Sequence, residues 1–236
     1  MFMMKLYKLR MLMKHNKFVY TIYCKLNQRR WNKNADLAKK ALAEQGMQVV
    51  EEVEKALAGQ NVKYFLSFGN LLGLEREGRF IKYDNDIDYS IFIDENFTWE
   101  KLEQCMSEAG YRKIRQFSLG GEISEQTYKK GILPVDFFGC RIEGDHTVSH
   151  DFFRIDDYTY TSKEEMHVLE GRFAKVDAVK KKMYGNVEIT VPADPIKYLE
   201  SVYTEKWTEP DPNWCERTAP GRRVLEEMGS KDLYLA

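Results

Sequence analysis

Three acidic residues and one glycine turn are the parts of this chain equipped for chemistry. Asp86 and Asp88 stand two apart in the run YDNDIDYSIFID, where Ile87, Tyr89, Ile91 and Ile93 alternate with them. On a strand, residues two apart share a face, with Cα atoms roughly 6.5–7 Å apart. Two carboxylates so placed repel each other unless one is protonated or a cation bridges them. All-oxygen ligation suits Mg2+ or Mn2+, with the phosphates of a substrate completing the coordination. Asp136 lies inside the apolar run LPVDFFG, where a charge is costly unless paired or metal-bound. It is the natural third carboxylate, on a neighbouring strand.

The turn Gly69-Asn70 follows a strand-like run and precedes Leu71, Leu72 and Leu74. Glycine lets a backbone approach a ligand closely, and a helix beginning there aims free N–H groups at an anion. Arg76 and Arg79 fall between the turn and the acids, where a guanidinium can neutralise phosphate. Asp84 and Asn85 directly precede the pair and are placed for substrate contacts.

Other chemistries fit less well. Asp84, Asp86, Asp88 and Glu95 match the first, third, fifth and twelfth positions of a calcium-binding loop. That loop requires glycine at its sixth position, which here is Tyr89, and flanking helices, whereas Tyr89 to Ile93 reads as strand. His146 and His150 have no nearby cysteine to complete a zinc set. Cys24, Cys105, Cys140 and Cys215 are scattered and read as free thiols.

The elements that must position these residues are legible in outline. A helix is expected over 35–58, with Ala38, Leu42, Val49, Val53 and Leu57 on one face and Gly59 as its cap. Strands are expected at 62–68 and 87–93, with a short helix starting at the Gly69-Asn70 turn. A helix from Trp99 to Ala109 ends at Gly110. A strand-rich half follows: 111–117, a turn at Gly120-Gly121, then 132–142, 152–155, 158–161 and 187–191. Asp194-Pro195 starts a last helix. From Thr208 onward, Pro210, Pro212 and Pro220 suggest an extended wrap. This order points to an α+β domain with one mixed sheet flanked by helices.

The 236 residues suffice for one domain with a sizeable core. With 43% hydrophobic and 13% aromatic residues the chain is not disordered, and a net charge of −1 gives no footprint for nucleic acid. Residues 1–30 differ, holding eight Lys and Arg and no acid. They read as a basic amphipathic arm, either lying on an anionic membrane surface or packed on the domain. The apolar run 18–24 is too short for a secretion signal or a membrane span. The expected division is 1–33 arm, 34–209 catalytic domain and 210–236 tail. The expected location is the cytoplasm, with the arm offering a peripheral hold on the inner face of the membrane.

The segment FGNLLGLEREGRFIKYDNDID resembles the GTLLGAxRhxgfIPWDdDiD signature of the LicD/fukutin-related phosphotransferases. LPVDFFG is similar to that family's later acid-bearing strand, and YLESVYTEKWTEP to its C-terminal element. The similarity spans about residues 37–210, and the first motif is by far its most specific part. It implies a nucleotidyltransferase-like fold in which Asp86, Asp88 and Asp136 hold Mg2+ or Mn2+. Gly69 and Asn70 would lie under the phosphates, and Arg76 would be the motif arginine. It implies transfer of a phospho-alcohol, phosphocholine from CDP-choline being the leading choice, to a glycan or glycolipid hydroxyl, with release of CMP. Asn70 stands where the family has threonine, Lys82-Tyr83 where it has Pro-Trp, and Thr204 where it has glycine. Nucleotidyl transfer from an NTP to a small molecule, and a non-enzymatic membrane-associated scaffold, are the alternatives.

Overall fold

The computed structural model describes residues 17–156 and 158–234, with backbone alone for 17–32. Four α-helices and eleven strands occur among them, in the order α1 (Lys17–Leu57), β1 (Tyr64–Leu66), α2 (Phe68–Glu77), β2 (Ile87–Phe92), α3 (Trp99–Glu108), β3 (Arg112–Leu119), β4 (Glu122–Lys129) and β5 (Pro134–Glu143). There follow β6 (His146–Phe153), β7 (Glu165–Ala174), β8 (Val179–Tyr184), β9 (Val187–Pro192), α4 (Pro195–Tyr203), β10 (Arg222–Val224) and β11 (Gly229–Leu233).

The chain forms a mixed α/β structure around one large sheet. At its centre β2 and β5 run parallel, in a register that sets Asp88 opposite Asp136. β1 flanks β2 antiparallel. On the other side β4 and then β3 add antiparallel. β6 pairs with the second half of β5 and with β7, and β11 bridges β7 and β3. The strands β3, β4, β5, β6, β7 and β11 therefore pair in a closed circuit. β8 and β9 form a separate hairpin.

The alternation of β2 assigns its two faces different jobs. Ile87, Tyr89 and Ile91, all fully buried, join Val50, Val53 and Leu57 of α1 in the core. Tyr89 stacks on Phe137 at 5.6 Å. The opposite face carries Asp86, Asp88 and Ser90 and is covered by α2 and α4, with Phe68 against Phe138 at 5.3 Å and Phe65 against Tyr198 at 5.2 Å.

Several elements differ from the sequence expectation. α1 is continuous for 41 residues and passes the expected arm boundary at residue 33 unbroken, since the chain has neither proline nor glycine between 17 and 45. Residues 1–16 and the side chains of 17–32 lie outside the described residues, and with them most of the basic arm. β4 was not foreseen because EISEQTYK has no apolar alternation. Its Glu125, Gln126, Thr127 and Tyr128 are all buried between β3 and β5, and three of them find polar partners there. A strand expected at 158–161 is absent, and β7 begins at Glu165 instead. The tail is more than a wrap. It donates β10 and β11 to strand edges that would otherwise stay open. No helix among the described residues is long and apolar enough to cross a membrane.

Candidate active site

One row of the sheet carries the site. Asp88 on β2 is in register with Asp136 on β5, Asp136 with Thr127 on β4, and Thr127 with Arg115 on β3. Residues opposite one another on adjacent strands share a face. Asp86 precedes Asp88 by two on the same face. One carboxylate oxygen each from Asp86, Asp88 and Asp136 lies within 4.8 Å of the others, and this is the sole such grouping of acidic, histidine or cysteine ligands among the described residues.

The surroundings fix the carboxylates in place. The Arg115 guanidinium donates to Asp136 Oδ1 at 3.1 Å and to Thr127 Oγ1 at 3.0 Å, while the Thr127 hydroxyl donates to the same Asp136 oxygen. One Asp136 oxygen is thus held from behind. Asn70 is fully buried. Its amide Nδ2 donates to the Asp86 carbonyl at 3.1 Å, and its Oδ1 accepts from the Asp88 N–H at 2.5 Å. This side chain therefore clips the backbone of the Asp86–Asp88 segment to α2, which accounts for a hydrogen-bonding residue at position 70.

Two glycines of the turn are required by close approach. A Cβ on Gly69 would lie 2.6 Å from Asp84 Oδ2, and one on Gly73 would lie 2.6 Å from the Arg79 carbonyl. Gly69 thus lets the Asp84 carboxylate abut the start of α2. Phe68, just before it, holds a left-handed backbone with φ +47°, a strained conformation for a bulky residue. Its ring is locked between Phe138, Phe173 and Tyr198. Arg76 donates to Glu77 at 3.0 Å, and its half-buried side chain keeps an unpartnered Nε.

Crowded acids make this face electrostatically tense. Burial, then the charges of Asp136 and Asp84, lifts Asp86 to about 7. Burial, then Asp86, Asp136 and Asp84, holds Asp88 well above the usual carboxylate range. Burial raises Asp84 to about 6 against the pull of Arg76, and its Oδ2 has no partner. Glu125, fully enclosed on β4, is also raised by burial and by Asp136. Three hard oxygen donors, mutually repelling and within 4.8 Å, fit a divalent cation such as Mg2+ or Mn2+.

The profile of the LicD/FKTN/FKRP nucleotidyltransferase domain matches residues 61–193, more than half of the chain. The chain belongs to the LicD/FKTN/FKRP family. The matched stretch holds α2, the three aspartates and the row from Asp88 to Arg115. Two Rickettsia proteins are similar to this LicD-family chain. The uncharacterized protein RT0683 of Rickettsia typhi is 26% identical over 158 residues, covering 67% of this chain and 45% of that protein. The uncharacterized protein RP689 of Rickettsia prowazekii is 25% identical over 160 residues, covering 67% and 53%. The chain therefore spans about half the length of these relatives. A structure of ANT(2")-Ia in complex with adenylyl-2"-tobramycin aligns over 72% of this chain and 81% of that one, with TM-score 0.41 and 11% identity.

The sequence-designated residues Asp84, Asp86, Asp88, Asp136, Gly69, Asn70 and Arg76 all lie on or beside this one face. Arg115, Thr127 and Glu125 were missed. They belong to strands whose polar residues give no periodic signal, and only the register brings them to Asp136. A cleft of about 380 Å3 lined by Ser118, Gly120, Thr161, Glu164, Glu227 and their neighbours shares no residue with the carboxylate cluster.

Proposed function

We propose that this LicD-family chain transfers a phospho-alcohol, foremost phosphocholine from CDP-choline, to a hydroxyl of a cell-surface glycan precursor, acting on the cytoplasmic side. What carries this reading is the meeting of Asp86, Asp88 and Asp136 on one face beside the start of α2. Asp86, Asp88 and Asp136 would hold Mg2+ or Mn2+, which when bound supplies charge neutralisation for the diphosphate and polarises the phosphorus.

The chain's own groups do the rest. The N-terminal N–H groups of α2, at Gly69 and Asn70, offer an anion site toward the donor phosphates. Asn70 keeps the Asp86–Asp88 backbone in register with that helix. Arg115 and Thr127 orient Asp136 so that one oxygen stays free to face the substrate. The acceptor oxygen attacks the alcohol-bearing phosphorus, and the P–O bond to CMP breaks. CMP leaves with the electron pair, and the hydroxyl proton passes to one of the clustered carboxylates. Positioning and charge neutralisation supply most of the rate.

A second reading is nucleotidyl transfer from an NTP, favoured by the nucleotidyltransferase description of the matching domain. Products separate the two. The first yields CMP from a CDP-alcohol, the second pyrophosphate from an NTP. A thermal-shift panel of CDP-choline, CDP-ribitol, CDP-glycerol and NTPs with Mg2+ tests both. A true donor at 100 times its Kd adds about 2.7 kcal/mol of stability. A protein that no CDP-alcohol stabilises in the presence of Mg2+ rules out the phospho-alcohol reading.

A further inference from the structure

The tail strand β11 brings a cation to the face that carries the acids. In its pairing with β3, Leu233 lies across from Arg115, and Lys231 lies across from Phe117. Residues opposite one another share a face, so Lys231 and Leu233 look to the same side as Arg115, Thr127 and Asp136. The Arg115 guanidinium lies 5.3 Å from the centre of the Phe117 ring, and Phe152 stacks on that ring at 4.9 Å. This end of the face reaches solvent: Leu233 is 59% exposed and the Arg115 side chain 35%.

Positive charge gathers here without anions to balance it. Lys231 is half-buried, and its amine makes no salt bridge or hydrogen bond among the described residues. Arg115 uses Nε on Thr127 and Nη2 on Asp136, which leaves Nη1 without a partner. A third cation is tied to the same short segment. Arg154 donates to the carbonyls of Ser162 and Lys163 at 3.3 and 3.4 Å, and the Lys231 N–H donates to the next carbonyl, that of Glu164, at 2.8 Å. Burial, then the charges of Arg115 and Arg154, hold the Lys231 amine below its usual range, against the pull of Glu164. The Glu164 carboxylate itself pairs with Lys163 at 3.3 Å. Like charges so gathered repel one another until an anion joins them.

The basic end and the acids stand at opposite ends of one face. Three inter-strand steps separate β5 from β11, roughly 14 Å, and Arg115 spans two of them to reach Asp136. In phosphoryl transfer the attacking and leaving oxygens stand on opposite sides of the phosphorus. A donor held at α2 and β2 therefore leaves the β3–β11 end to the acceptor. A hydroxyl at the carboxylates and an anion at Lys231 then belong to one extended molecule, as in an oligosaccharide. We propose that Lys231, with the free edge of Arg115, receives a negatively charged group of the glycan acceptor, a phosphate or a carboxylate, so that β11, outside the family-matched segment, selects anionic acceptors. This rests on the phosphotransferase reading above.

The test titrates the full chain, with Mg2+ and with excess CMP filling the donor end, against glucose 6-phosphate, glucuronic acid and glucose. The wild type should bind one of the two anionic sugars about tenfold or more tighter than glucose, and which one it prefers tells phosphate from carboxylate. Lys231→Gln should abolish most of that preference and Lys231→Arg should keep it, with glucose binding unchanged in both. Because Lys231→Gln removes an unbalanced charge, its melting temperature should hold or rise. CDP-choline with Mg2+ should stabilise the wild type and Lys231→Gln equally. If CDP-choline stabilises the wild type, yet the wild type prefers neither anionic sugar or Lys231→Gln keeps the preference, this inference is overturned while the phosphotransferase reading stands. Equal losses of CDP-choline and anionic-sugar binding in Lys231→Gln would put Lys231 on the donor and also overturn it. If no CDP-alcohol stabilises the wild type, both fall.

Discussion

Acids lie against both faces of β2, and they behave oppositely. On the α1 side, Glu54 is 5% exposed and its carboxylate is saturated with donors. Tyr64 and Tyr89 donate to it at 3.0 and 3.4 Å, Thr190 through N–H and hydroxyl at 3.0 and 2.7 Å, and Lys181 at 2.7 Å. On the other side, Asp86 and Asp88 meet Asp136 with few donors and much mutual repulsion. A carboxylate wrapped by donors pins elements together, here α1, β1, β2 and the β8–β9 hairpin. Carboxylates turned on one another would be relieved by the divalent cation proposed above. The alternation of β2 thus separates the packed side that meets Glu54 from the side that carries the acids proposed to act on substrate.

The largest expected effect breaks the functional side. With Asp88 in the metal-holding role proposed above, Asp88→Asn should lower transferase turnover at least about 10³-fold, since losing such a ligand removes several kcal/mol of transition-state stabilisation. Its melting temperature without metal should hold or rise, because a repulsive charge has gone. A turnover loss accompanied by unfolding would erase the contrast with Glu54. On the structural side, Glu54→Ala strands Lys181 and three hydroxyls. It should cost roughly 3–5 kcal/mol, or about 10 °C in Tm, while the remaining folded enzyme keeps its Mg2+ affinity.

The pH dependence sharpens the comparison. The Asp86 carboxyl is lifted to about 7 in the fold, against about 3.9 in an unfolded chain. For a raised acid, the contribution to stability is complete below the unfolded value and is lost as pH climbs through the folded one. Metal-free protein should therefore lose stability between about pH 4 and 7, by a few kcal/mol at most. Saturating Mg2+ should flatten that slope, and Mg2+ affinity should rise across the same window. Denaturant melts at several pH values, with and without EDTA, measure this; parallel slopes would contradict it. The smallest effect lies at Thr204, which ends α4 at φ 73° and ψ 170°, a conformation glycine adopts freely and threonine does not. Thr204→Gly should stabilise by about 1 kcal/mol, with activity unchanged, as read by thermal melts.

Legibility in the sequence followed physical signal. Asp86, Asp88 and Asp136 stood out because each interrupts an apolar strand, and burying charge there has few justifications. β2 was readable from its alternation, β5 from its apolar run and α3 from the glycine that closes it. β4 was not, since its buried residues are mostly polar, and Gln126 and Thr127 find their partners, Gln116 and Asp136, on the strands either side of it. The tail strands β10 and β11 were hidden for a related reason. RRV and GSKDL are too short to show a pattern, and they become strands because β7 and β3 present edges to them.

The amino-acid sequence by itself determined the chemistry available, because residue type and spacing of two along a strand settle which carboxylates share a face. The tertiary structure alone decided which further groups meet them. Arg115 lies 21 residues from Asp136, and Asn70 lies 18 residues from Asp88. Strand register and helix packing close those distances, and register depends on the whole sheet rather than on any local run. That is also why Glu54, 35 residues from Tyr89 and 136 from Thr190, shows its role only once the chain has folded.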